Sequence, residues 1–63
     1  MWTAVHIIEG EKRAIELKEK LTKEGFLIKF KPFAKDGDIM NYKIMTPEFE
    51  ASDVHKAIID LGY

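Results

Sequence analysis

Cysteine is absent from the sequence, and this absence excludes disulfide bonds, cysteine-ligated zinc, iron–sulfur clusters and thiol catalysis. Long hydrophobic runs are also missing, since none approaches the roughly 18 residues that a membrane-spanning helix needs. The opening residues, Met1 to Val5, have neither the basic region nor the cleavage site of a signal peptide. We therefore expect a cytoplasmic protein without a membrane segment.

Charge of one sign does not dominate the chain either. The 10 basic and 11 acidic residues give a net charge of −1, so no bulk attraction to nucleic acid or anionic lipid is expected. Hydrophobic residues make up 46% and charged residues 33%, a balance typical of a globular chain rather than a disordered one. The length of 63 residues predicts one small domain spanning residues 1–63.

Three segments have the composition of strands. Residues 2–9 are rich in β-branched and aromatic types, and residues 26–33 and 41–46 alternate between apolar and polar side chains. Pro32 has no N–H to donate, which places the second strand at an edge of the sheet. Alternation predicts that one set of side chains lies beneath the helices: Thr3, Val5, Ile7, Phe26, Ile28, Phe30, Tyr42 and Ile44.

The turn between the second and third strands sets their register. A two-residue turn at Asp36-Gly37 would place Phe30 opposite Lys43 and mix apolar and charged side chains on each face. A three-residue turn over residues 35–37 instead pairs Phe30 with Tyr42. We therefore favour the three-residue turn, because a slip of one residue moves every side chain to the other face.

The sequence predicts two helices, one between the first and second strands and one after the third strand. One begins directly after the first strand, and the other covers about residues 50–61, opened by either Thr46-Pro47 or Ser52-Asp53. Gly25 and Gly62 are each followed by an aromatic residue, the pattern of a Schellman C-terminus. Apolar side chains at helical spacing predict the buried stripes: Ala14, Leu17 and Leu21 in the first helix, and Ala51, Val54, Ile58 and Leu61 in the second.

The element order β-α-β-β-α predicts an α+β fold of the split-βαβ type, ferredoxin-like but lacking the last strand. Its three-stranded antiparallel sheet should have the order 1-3-2, with two helices on one face. In the complete ferredoxin-like arrangement a further strand would begin near Tyr63 and pair with the first strand. Without it the first strand has an open apolar edge, which favours pairing with a partner or with a second copy of the chain.

No set of side chains indicates catalysis. His6 and His55 are the only histidines, and two ligands without a nearby acidic group do not complete a zinc site. We interpret them as structural or interfacial, with a metal or acid–base role as the alternative. Asp36-Gly37-Asp38 lacks the spacing of a calcium loop and is interpreted as a turn. We expect no enzymatic activity, no cofactor and no bound metal.

The outer face of the sheet is the predicted interface. A mixed apolar patch rimmed by lysines is typical of a surface that binds a protein or a second copy of itself. An alternative is single-stranded nucleic-acid binding, which is disfavoured by the slight negative charge and by the absence of a ribonucleoprotein motif. A third possibility is a small-ligand sensor domain. The predicted interface residues are Trp2, Ala4, His6, Ile8, Leu27 and Met45, and the lysines for nucleic acid are Lys29, Lys31 and Lys43.

Three segments together resemble a known group of proteins: residues 1–5 (MWTAV), residues 21–26 (LTKEGF) and residues 44–48 (IMTPE). They resemble short proteins of anaerobic Gram-positive bacteria that are related to a prokaryotic signal-transducing protein family of unknown function. The resemblance implies a β-α-β-β-α domain with a regulatory role and supplies no catalytic residue. Such chains sometimes carry the label glutamate decarboxylase, but a pyridoxal-phosphate enzyme needs a far larger fold to enclose its cofactor.

Overall fold

Three strands and two helices make up the chain, which the computed structural model describes in full from Met1 to Tyr63. In chain order they are β1 (Trp2–Glu9), α1 (Glu11–Lys23), β2 (Lys29–Asp36), β3 (Ile39–Pro47) and α2 (Ala51–Asp60). The sheet has the order β1-β3-β2, and both strand pairs are antiparallel. The predicted α+β class, element order and sheet order are confirmed.

The core lies between the two helices and one face of the sheet. α1 buries its predicted stripe, because Ala14, Leu17 and Leu21 fall on the side that faces the sheet, while Ile15 lies beside the stripe and is exposed. α2 buries Ala57 in addition to Val54 and Ile58, while Leu61 is exposed, so its buried stripe is shifted slightly from the predicted one. The full core cluster is Ile8, Ala14, Leu17, Leu21, Ile28, Ile44, Val54, Ala57 and Ile58.

Both helices end in the predicted Schellman motif. At the end of α1, the N–H of Phe26 donates to the carbonyl of Leu21 at 3.2 Å. At the end of α2, the N–H of Tyr63 donates to the carbonyl of Ile58 at 3.1 Å. The glycine before each aromatic has a positive φ, which a residue with a Cβ rarely adopts. Each turn folds its aromatic ring back onto the core.

A bulge in β1 overturns the predicted faces of that strand. Ala4 lies opposite Met45 and His6 lies opposite Ile44, so Val5 is one extra residue without its own partner. Beyond Val5 the alternation is reversed: Ile8 is only 4% exposed within the core, while Ile7 is 44% exposed. The predictions that Ile7 is buried and that His6 and Ile8 lie on the outer face are therefore wrong.

The hairpin between β2 and β3 also differs from the predicted register. Phe30 lies opposite Ile44 rather than Tyr42, and the turn has two central residues, Gly37 and Asp38, between the paired Asp36 and Ile39. Gly37 has a φ of 63° and no other turn residue has a positive φ, the pattern of a type II′ turn. A second bulge, at Phe33, restores the alternation, so Phe30 still faces the helices as predicted.

The segment that opens α2 begins directly after Pro47. Residues Glu48–Glu50 form a 3₁₀ turn that continues into the helix, and no side chain caps either element. This matches the Thr46-Pro47 alternative, whereas Ser52 lies inside the helix. Neither α1, with 13 residues, nor α2, with 10, is long and apolar enough to cross a membrane.

Candidate interaction surfaces

The face of the sheet opposite the helices has no second layer on it. Trp2 is 40% exposed, Leu27 is 56% exposed and Ala4 is exposed, as the sequence predicted for this face. The bulge replaces Ile8 and His6 on this face by Ile7. We call the resulting set of side chains the outer patch, and it consists of Trp2, Ala4, Ile7, Leu27 and Met45.

At one end of the outer patch, the Trp2 ring makes a cation–π contact with a lysine of the same chain. The Nζ of Lys29 lies 4.3 Å from the centroid of the Trp2 ring. Because Lys29 belongs to β2 and Trp2 to β1, this contact spans the sheet across the end of β3. One face of the indole is thus already covered by this chain's own lysine.

The three lysines predicted as a nucleic-acid site share the outer face. Lys31 lies directly opposite Lys43, and Lys29 lies opposite Met45. Like charges directly opposite one another repel, which is a small cost to the β2–β3 pair. The cluster is therefore present, but its aromatic member, Trp2, is stacked against Lys29 rather than open on both faces.

The two edges of the sheet differ in composition. β2 contains Pro32 and three lysines, it is broken by the bulge at Phe33, and six of its eight residues are exposed. β1 contains neither proline nor lysine, and its only strand partner is β3. Lysine, proline and bulges are the features by which edge strands avoid pairing with other chains. Of these three features β1 has only the bulge, and its one acidic side chain, Glu9, lies at the end of the strand.

The residues just before β2 are held by side chains of Thr46 and Glu50 instead of by ladder hydrogen bonds. The observed register would place Leu27 opposite Pro47, which has no N–H to donate. The Thr46 hydroxyl donates to the Leu27 carbonyl at 3.0 Å, and the Leu27 N–H donates to Oε2 of Glu50 at 3.1 Å. The same Oε2 lies 3.3 Å from the Thr46 hydroxyl oxygen. Thr46 is fully buried, and these contacts satisfy its hydroxyl.

The histidines lie on the helix side of the molecule. His6 is half-buried on β1 opposite Ile44, and His55 is exposed on α2. The pKa of His6 is lowered, first by burial of its ring and then by the positive charges of His55 and Arg13. No group of three or more histidine and acidic side chains is placed to hold a metal ion. The sequence pattern missed the partial burial of His6 because it put this residue on the other face.

The wrong predictions for the faces of β1 have one cause, the bulge at Val5. Ile7 and Ile8 are adjacent, equally apolar and β-branched, so the choice between them depends entirely on the strand's alternation. No glycine marks the bulge at Val5, and nothing else in the sequence predicts it.

Comparisons of the chain with protein-family models, with curated proteins and with solved structures found no match.

Proposed function

We propose that this protein is a small cytoplasmic interaction module that forms a homodimer by antiparallel pairing of β1 with β1 of a second copy. The observation that carries the proposal is the unequal protection of the two edges: β2 contains proline and lysines, and β1 contains neither. An apolar edge strand with free N–H and carbonyl groups is a template for another strand. Pairing gives those backbone groups hydrogen-bond partners.

A two-fold axis through Ile7 fits this arrangement. Two residues that lie directly opposite each other in an antiparallel pair project their side chains to the same face of the sheet. If β1 of one copy pairs with β1 of the other, the helices of both copies lie on the same side of the joint sheet only when the numbers of the opposite residues are both even or both odd. Centring the axis on Ile7 places this side chain opposite Ile7 of the second copy, and His6 opposite Ile8. The outer patches then become neighbours on one continuous sheet, and the exposed Ile7 is covered at its centre.

The role that we propose is regulatory rather than catalytic. The resemblance of residues 1–5, 21–26 and 44–48 to relatives of prokaryotic signal-transducing proteins supports it. Exposed apolar side chains on the outer face of the sheet, Trp2, Ile7 and Leu27, also support a binding role.

A pair of matched substitutions tests the dimer. Ile7→Lys puts like charges opposite each other at the proposed two-fold axis, and it also lies opposite Lys43 within the chain, so the stability of the variant is measured alongside by urea denaturation. Phe33→Lys makes the same chemical change on the β2 edge, where Phe33 is 59% exposed. We expect sedimentation velocity of the wild type from about 1 μM to about 1 mM to show a monomer–dimer equilibrium. Ile7→Lys should raise the dimer dissociation constant about tenfold or more, and Phe33→Lys should leave it within about twofold.

Two outcomes contradict the proposal. A wild type that stays monomeric over the whole concentration range removes the dimer altogether. A dimer that Phe33→Lys weakens as much as Ile7→Lys places the interface elsewhere. Ile7→Thr, which keeps a β-branched side chain without adding charge, serves as the folding control, and circular dichroism should report unchanged helix content in each variant.

A second candidate function, single-stranded nucleic-acid binding, rests on Lys31 and Lys43. Their direct opposition across the β2–β3 pair is a repulsion that a phosphate group would relieve. Fluorescent oligonucleotides titrated at low and moderate salt distinguish the candidates, because phosphate contacts give an affinity that falls steeply with salt. Lys31→Gln should reduce that salt dependence, and binding that is unaffected by the substitution rules out this site.

A further inference from the structure

A groove lies between α1 and the beginning of β2. Its volume is about 420 Å³, which is within the range of sites that bind small molecules. One wall consists of side chains of α1 that recur every three or four residues and therefore share one face of the helix. The residues that line the groove are Ile15, Lys18, Glu19, Thr22 and Lys23 of α1 and Phe30 of β2.

The floor of the groove is apolar and is held in place by the sheet. Phe30 packs against the core, and its ring meets the Tyr42 ring edge to face, with the two centroids 5.5 Å apart. Ile15 lies beside the buried stripe of α1 and is 42% exposed, so it has apolar surface in contact with water. An alkyl chain bound in the groove would remove apolar surface of Ile15 and Phe30 from water, which is favourable.

Lys18 is the basic residue of α1 without a carboxylate at pairing distance along the helix. Each of the other four basic residues of α1 has a glutamate three or four positions away, where opposite charges on a helix attract. The residues at the same distances from Lys18 are Ala14, Ile15, Leu21 and Thr22, and none is acidic. Its Nζ lies 5.9 Å from the centroid of the Phe30 ring, above the apolar floor.

We propose that this groove binds a medium-chain fatty acid, with the carboxylate on Lys18 and the alkyl chain along Ile15 and Phe30. Glu19 offsets one of the two lysines in the groove, so one positive charge remains, and a monoanion neutralises it. The Thr22 hydroxyl, one helical turn from Lys18, can donate to the same carboxylate. The helix rises about 12 Å over positions 15–23, and three bonds of an extended chain span about 3.5 Å, so a chain of about eight to ten carbons matches the groove.

This site is separate from the proposed dimer contact and does not depend on it. β1 and β2 are the two outer strands of the sheet, with β3 between them, and the groove lies beside β2. The Ile7→Lys variant should therefore bind a fatty acid with the affinity of the wild type. Loss of the dimer and loss of fatty-acid binding are thus distinguishable results.

The test is an NMR titration of the whole chain with sodium octanoate. Amide resonances of residues 15–23 and of Phe30 should shift with one dissociation constant, whereas those of Trp2 and Ile7 on the outer patch should not. Butyrate has the same charge and half the chain, and it should bind at least about tenfold more weakly. Octylammonium has the same chain and the opposite charge, and it should bind about fivefold more weakly or worse. Shifts centred on the outer patch, or equal binding of octanoate and octylammonium, overturn the proposal.

Two pairs of matched substitutions complete the experiment. Lys18→Gln should weaken octanoate binding about fivefold and remove the preference over octylammonium, whereas Lys56→Gln, at an exposed position of α2, should change the affinity less than about twofold. Ile15→Thr should weaken octanoate binding about threefold, and Ile59→Thr, at a 61% exposed position of α2, less than about 1.5-fold. The proposal is overturned if the two variants of either pair bind octanoate equally.

Discussion

The two edge strands of the sheet, β1 and β2, differ in amino-acid composition and in exposure. β2 is lysine-rich, contains a proline and is mostly exposed, whereas β1 is apolar and partly buried, with no lysine and no proline. Both pair with β3, and both contain a single bulge. The difference is therefore one of composition and not of topology, and it leaves β1 less protected than β2 against pairing with another strand.

The edges also differ in how their first residues are attached to β3. The β1–β3 ladder runs from Glu9 to Trp2, which lies opposite Pro47. The β2–β3 ladder stops at Lys29, and Leu27 is attached by side chains instead. One edge thus depends on backbone pairing along its whole length, and the other depends partly on a buried hydroxyl and a carboxylate.

The largest effect that we predict comes from removing that hydroxyl. Thr46→Val keeps the shape of the side chain but leaves the Leu27 carbonyl without its donor, which should lower the free energy of unfolding by about 2 kcal/mol. Thr3→Val is the matched control, since Thr3 lies directly opposite Thr46 on β1 and is only half-buried. Urea denaturation should show a change below about 0.5 kcal/mol for the control. Equal losses in both variants would show that the hydroxyl contact does not matter.

Removing an aromatic side chain should destabilise the protein more on the β1 edge than on the β2 edge. Trp2→Ala removes a partly buried indole and its contact with Lys29, and we expect a loss of about 1.5 kcal/mol of unfolding free energy. Phe33→Ala, at the exposed bulge of β2, should cost less than about 0.5 kcal/mol. The helical circular-dichroism signal should survive in both variants, and Trp2→Ala should also weaken self-association. A larger loss for Phe33→Ala would reverse the comparison.

A gain in stability is expected on the β2 side. Lys31→Glu converts the like-charged pair with Lys43 into an opposite-charged one, which should raise the free energy of unfolding by about 0.5 kcal/mol at low salt. The gain should fade as salt screens the pair. Lys35→Glu makes the same change opposite Met40 and should not show that salt dependence. If both variants respond alike, net charge rather than the pair is the cause.

The smallest effect that we predict is a dependence of the free energy of unfolding on pH, which comes from His6 on β1. The pKa of His6 in the folded chain lies below its ordinary value of 6.5, so the unfolded chain binds more protons between the two values. The contribution of His6 to stability is therefore complete above 6.5 and is lost as the pH falls through the folded-state pKa. Urea midpoints should decrease between about pH 7.5 and about pH 5.5, and less so in His6→Gln. An unchanged slope in His6→Gln would exclude His6 as the source.

The elements that could be predicted are those set by local rules. The stripe of Ala14, Leu17 and Leu21 follows from helical spacing, and the Schellman ends follow from Gly25 and Gly62, because few other residues adopt their backbone conformation. The strand order followed from the sequence of elements and was confirmed. These features depend on residues close together in the chain.

The parts that could not be predicted depend on single inserted residues. The bulge at Val5 reverses the faces of Ile7 and Ile8, and the bulge at Phe33 compensates for a turn that differs from the expected one. Alternation alone cannot locate an extra residue between equally apolar neighbours. The partial burial of His6 was hidden for the same reason, since it requires His6 to face the helices.

The side-chain attachment of Leu27 makes three positions of the sequence interdependent. Thr46 and Glu50 supply contacts near a site where Pro47 cannot donate a hydrogen bond. A residue with an N–H at position 47 would let the ladder extend, and the hydroxyl and carboxylate would then matter less. In a double-mutant cycle, Thr46→Val should therefore cost less in a Pro47→Ala background than alone. Such epistasis predicts that these positions change together when the sequence diverges.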